Sequence, residues 1–71
     1  MATYKRTENW AGGAYQLVTT IDDSGTYKQT VEWPDGVTVE KTETTVTDMG
    51  WTSVKDFLEH RRGFEKQEET P

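Results

Sequence analysis

Apolar and polar side chains alternate along most of the first 47 residues, and a helical period replaces the alternation only after residue 50. The runs 3–10, 15–22, 26–33 and about 37–47 therefore predict four strands, separated by Ala11-Gly12-Gly13-Ala14, Asp23-Ser24-Gly25 and Pro34-Asp35-Gly36. Each separator has turn chemistry. Proline presets φ at the first turned position, aspartate suits the next, and glycine accepts the positive φ that closes a three-residue hairpin loop. After Asp48-Met49-Gly50, apolar residues fall at Trp51, Val54, Phe57 and Leu58, one face of a helix over about 51–62. Ser53 or Thr52 can cap its start, with Asp56 completing a capping-box echo, and Gly63 can close its end with Phe64 packing back on Leu58.

The loop lengths set a register. The 23–25 loop pairs Ile21 with Tyr27, Leu17 with Val31 and Tyr15 with Trp33. The 34–36 loop adds Val37, Val39, Lys41 and Glu43 opposite Trp33, Val31, Gln29 and Tyr27. A four-residue loop at 11–14 pairs Trp10, Glu8, Arg6 and Tyr4 with Tyr15, Leu17, Thr19 and Ile21. Because side chains alternate, all these residues share one face. Its predicted core is Tyr4, Trp10, Tyr15, Leu17, Ile21, Tyr27, Val31, Trp33, Val37 and Val39, covered by Trp51, Val54, Phe57 and Leu58 of the helix. Trp33 is expected beneath that helix, where truncation to alanine would cost roughly 3–5 kcal/mol. The expected fold is α+β: a four-stranded antiparallel meander with one C-terminal helix, forming a single domain over residues 1–64. The charged stretch 65–71 has nothing to bury and is expected to be a disordered tail.

Composition narrows the class. Only 31% of the 71 residues are hydrophobic, but eight are Trp, Tyr or Phe, which bury much area per residue. Thirteen threonines, twelve of them before residue 53, favour strands. There is no cysteine, so neither a disulfide nor a thiolate metal site can form. No apolar run approaches the roughly 18 residues of a membrane span. A soluble, cytoplasmic protein without cofactor or metal is the expectation.

Catalytic sets are missing from the sequence. Ser24 and Ser53 are its serines and His60 its one histidine. Ser53 and His60 sit seven residues apart, about 10 Å along a helix, whereas a nucleophile and its base need contact at about 3 Å. Asp22-Asp23-Ser24-Gly25 lacks the alternating ligands and closing glutamate of a calcium loop, and Gly12-Gly13 lacks the lysine and helix of a phosphate loop. The chain is expected not to be an enzyme.

The net charge of −5 disfavours nucleic acid as a partner, although Lys5-Arg6 and Arg61-Arg62 could make a small basic patch for weak binding. A small acidic inhibitor that mimics a phosphate backbone is the converse reading. The principal expectation is a protein-interaction module. Its candidate surface is the polar sheet face of Lys5, Thr7, Gln16, Lys28, Thr30, Glu32, Thr38, Glu40 and Thr42. A second candidate is the pair of charged edges. Arg6 and Glu8 on the first strand, with Lys41 and Glu43 on the last, point inward as guards against aggregation or pair across two chains, Arg6 with Glu43 and Glu8 with Lys41, in a homodimer.

Overall fold

The computed structural model describes residues 2–67, apart from the side chain of Lys41. The strands are β1 (Thr3–Trp10), β2 (Tyr15–Asp22), β3 (Thr26–Glu32) and β4 (Thr38–Thr45), followed by helix α1 (Val54–His60) and a short strand β5 (Glu65–Gln67). They form one antiparallel sheet in the order β4-β3-β2-β1-β5, so the fold is α+β with five strands rather than four. The additional strand comes from the expected tail. Glu65, Lys66 and Gln67 pair with Lys5, Tyr4 and Thr3, because β1 offers an unpaired edge and Phe64, packed on the core, brings the chain alongside it. Residues 68–71 of that tail lie outside the described residues.

The first two hairpins have the expected register. Trp10 lies opposite Tyr15, Glu8 opposite Leu17, Arg6 opposite Thr19 and Tyr4 opposite Ile21. Ile21 lies opposite Tyr27, and Leu17 opposite Val31. At the 34–36 loop, the Gly36 amide donates to the Trp33 carbonyl (3.0 Å) and the Val37 amide donates to Asp35 Oδ1 (3.0 Å). Gly36 takes φ 89°, which a residue with a Cβ resists.

The third hairpin departs from the expectation at Lys41. Val39 lies opposite Val31 and Glu40 opposite Thr30, but Gln29 meets Thr42, Lys28 meets Glu43 and Tyr27 meets Thr44. Lys41 is the extra residue of a β-bulge that splits β4 into segments 38–40 and 42–45, and one extra residue exchanges the two faces beyond it. Glu43, expected against Tyr27 on the apolar face, turns to the other face beside Lys28. Thr42, expected on that polar face, turns inward opposite Gln29. The exchange also brings Val46 inward, where it is 3% exposed. Keeping a carboxylate in water and burying a valine both favour the bulge.

The core is Ile21, Val46 and Phe57, with Tyr4, Tyr27, Met49, Trp51, Val54, Leu58 and Phe64 packed around it. Phe57 meets Tyr27, Trp51 and Phe64 edge-on at centroid distances of 5.9, 5.9 and 5.3 Å. Gly25 closes the sheet end of this core. Its φ is 90°, and a Cβ there would come within 3.3 Å of Val46 Cγ2.

The helix is shorter than expected, 54–60 instead of 51–62. Ser53 caps it by accepting from the Asp56 amide (3.0 Å), and Asp56 Oδ2 reaches back to the Thr52 amide (3.2 Å) and hydroxyl (3.1 Å). These bonds hold the Asp56 carboxyl below its ordinary pKa, with the His60 imidazole adding a smaller effect. Trp51 stays outside the helix because its amide donates to the Val46 carbonyl (2.9 Å). Arg61 is already extended (φ −109°, ψ 112°), so the end is not the glycine-closed one expected at Gly63, and Phe64 meets Phe57.

Deleting Lys41 should remove the bulge and leave Thr42 opposite Gln29, Glu43 opposite Lys28 and Val46 inside. Urea unfolding of the deletion variant should then stay within about 1 kcal/mol of wild type, and a loss of more than about 2 kcal/mol, as expected if Val46 turned out, would show that Lys41 is not the extra residue.

A second prediction concerns pH. Asp22 accepts from the Ser24 hydroxyl, the Thr26 amide (3.1 Å) and the Ser24 amide (3.0 Å), bonds that lower its pKa despite partial burial. A depressed folded-state pKa means stability that is present above the ordinary carboxylate pKa and is lost as pH falls through the folded value. Asp22→Asn should therefore be less stable at pH 7, with a gentler acid-side loss below about pH 4. An acid limb of wild-type steepness would exclude Asp22 as a contributor.

Candidate interaction surface

Helix α1 covers only one end of the sheet. Seven helical residues extend about 10 Å, whereas an eight-residue strand extends about 26 Å. The helix sits over Tyr4, Ile21 and Tyr27, and the opposite half of the same face is left without a covering element. Its apolar residues are Trp10, Tyr15, Leu17, Val31, Trp33, Val37 and Val39. Trp10, Trp33, Val37 and Val39, all expected in the core, are 47, 43, 51 and 51% exposed. Tyr15, Leu17 and Val31 are intermediate.

Trp33 is the centre of this surface. Its ring lies 4.9 Å from that of Tyr15 at an interplanar angle of 47°. The two rings border a hollow of about 610 Å³ with Val31, Val39 and Glu40, open along β4. A smaller hollow of about 290 Å³ lies at the end of the sheet, between Tyr15, Trp33 and Pro34 and the polar Asn9, Gln16 and Glu32. Local bonding places Trp33: its amide donates to the Val37 carbonyl (3.0 Å) and its carbonyl accepts from Gly36, so the turn holds the ring at the rim. Trp10 is tethered by its indole Nε1, which donates to Glu8 Oε2 (3.0 Å).

The candidate edge charges separate. Arg6 and Glu8 form an ion pair with each other, and Arg6 Nη1 also donates to the Arg62 carbonyl (3.3 Å) beside the turn into β5. Glu43 lies on the opposite face, and β5 occupies the edge of β1 at residues 3–5, so the Arg6–Glu43 pairing expected of a homodimer has no matching geometry. Lys41 occupies the bulge.

Of the candidate polar face, Lys5, Thr7, Gln16, Lys28, Thr30, Glu32, Thr38 and Glu40 share the side away from the helix, while Thr42 does not. Glu65, Lys5, Thr20, Lys28 and Glu43 form one row across it, with an acid at each end and lysines between. Val18, between Thr7 and Thr30, is 5% exposed.

The residues considered for catalysis have structural work. Ser53 caps the helix, Ser24 bonds Asp22, and His60 Nδ1 lies 2.9 Å from the Asp56 carbonyl, with its ring 5.2 Å from that of Trp51. Among the described residues, no group of three His, Cys, Asp or Glu side chains is placed to hold a metal, and no helix is long and apolar enough to cross a membrane. No family model, curated protein or solved structure matches the chain.

The exposure of Trp33 reverses its expected energetic role. Trp33→Ala should cost no more than about 1 kcal/mol in urea unfolding, and Phe57→Ala about 3–5 kcal/mol, enough to unfold so small a domain. Equal costs for the two would place the core elsewhere.

Proposed function

We propose that the chain is a non-enzymatic protein-interaction module that engages a partner protein through the uncovered half of its sheet face. The observation carrying this reading is the contiguous exposure of Trp10, Trp33, Val37 and Val39 at 43–51%. Single exposed apolar residues are ordinary, but grouped ones with polar residues around them mark interaction surfaces. Tryptophan and tyrosine favour such sites because a large rigid ring contributes contact area at little entropic cost. The surface is shallow, borders a free sheet edge and is framed by hairpin turns, which suits a protein better than an enclosed small molecule. The structural roles of Ser24, Ser53 and His60 agree with a non-catalytic module.

One observation favours a second reading, an inhibitor of a nucleic-acid-binding protein. Glu32 and Glu40 line the two hollows beside Trp33, and carboxylates so placed can occupy a site built for phosphates.

The test compares proteins captured from a lysate of the expressing cells on immobilised wild type, Trp33→Ala and Val39→Glu, with circular dichroism to show that each bait is folded. A partner retained by wild type and reduced at least tenfold on both variants supports the reading. Identical capture by all three overturns it. Elution by salt alone would favour the inhibitor, since a phosphate-mimicking contact is electrostatic and an apolar interface is not.

A further inference from the structure

We propose that the open surface receives an extended cationic segment of the partner, alternating apolar residues with lysine or arginine and pairing along the free edge of β4. This rests on the interaction-module reading and supplies the partner's chemistry.

β4 is the outermost strand on its side of the sheet, so the main-chain groups of its alternate residues face outward without a neighbouring strand. An exposed edge bordered by apolar side chains is a template for strand addition. Val37 and Val39, each 51% exposed, border this edge on the helix side, next to the hollow lined by Trp33 and Tyr15. Glu40 follows Val39, and the alternation of a strand directs its side chain to the other face. A strand added here would set one series of side chains over Val39 and Trp33 and the alternate series beside Glu40. The first series is matched by apolar groups and the second by cations. The bulge at Lys41 interrupts the regular edge, limiting the segment available for pairing to Val37 and residues 38–40 of β4.

Charge selects among occupants. On its β4 side the open half is built from segment 29–40, which contains Glu32, Asp35 and Glu40 and no lysine, arginine or histidine, while Arg6 and Arg61 line a hollow with Glu8, Trp10 and Leu17 on the β1 side. Glu8 is engaged by Arg6, which leaves three further carboxylates toward β4. A second copy of this surface would bring acid against acid, and a nucleic acid would bring phosphate against carboxylate. A cationic segment meets opposite charge.

The probe is an acetylated, amidated octapeptide alternating valine and lysine, titrated into ¹⁵N-labelled protein at low salt. Two control peptides alternate valine with glutamate and serine with lysine. The valine–lysine peptide should shift the amides of residues 37–40 and the Trp33 indole, and should bind at least tenfold more tightly than either control. Glu32→Gln with Glu40→Gln should weaken it several-fold, as should 0.5 M salt. Equal binding of the valine–glutamate peptide, shifts centred on α1, or no shift at millimolar peptide would overturn the proposal. The capture comparison separates its failure from that of the broader reading. Partners lost on the Trp33→Ala bait together with a silent valine–lysine peptide would retain the module and reject the cationic strand.

Discussion

Phe57 is where the separate parts of the chain are joined. Its ring meets Tyr27 from the sheet, Trp51 from the segment before the helix and Phe64 from the segment leading to β5. With so few aliphatic residues, the domain obtains its buried area from rings packed edge to face, a geometry that also has favourable quadrupole contacts. This concentration has a spatial consequence. One short helix carries the covering residues, and their side chains converge on one end of the sheet. The valines and tryptophans at the other end are consequently left to solvent or to another molecule.

The two ends differ electrically as well as in packing. Arg6, Arg61 and Arg62 lie near the helix end, with Arg61 6.0 Å from the Trp51 ring. Carboxylates predominate at the open end. The helix itself carries Asp56 and Glu59, which offset those arginines, whereas segment 29–40 has no cation to offset Glu32, Asp35 and Glu40.

Local chemistry made much of this fold legible in the sequence. Pro34-Asp35-Gly36 and Asp23-Ser24-Gly25 specify hairpins because their residue types suit few other conformations, and the register of Ile21 with Tyr27 follows from loop length. The bulge was not legible. Nothing in Glu40-Lys41-Thr42 marks an extra residue; it arises from the competing demands of Val46 and Glu43 on opposite sides of the sheet. Nor is β5 legible, because Glu65-Lys66-Gln67 has no apolar character and its pairing depends on an edge more than 50 residues away. The open surface is not legible from alternation, which marks Trp33 and Ile21 alike as inward apolar residues. One signal could have revealed it: the apolar helical positions span only Trp51 to Leu58, too short a run to cover strands of eight residues.

β5 has a consequence for how the chain acquires its shape. Thr3 to Lys5 leave the ribosome well before residues 65–67, their partners on one side. On the ribosome, the three hairpins can form in order from local contacts while that edge stays bare. The sheet can close there only after the helix and residues 65–67 have emerged. This pairing thus joins segments far apart in the sequence, a contact whose loop-closure entropy is lowered by every hairpin already formed.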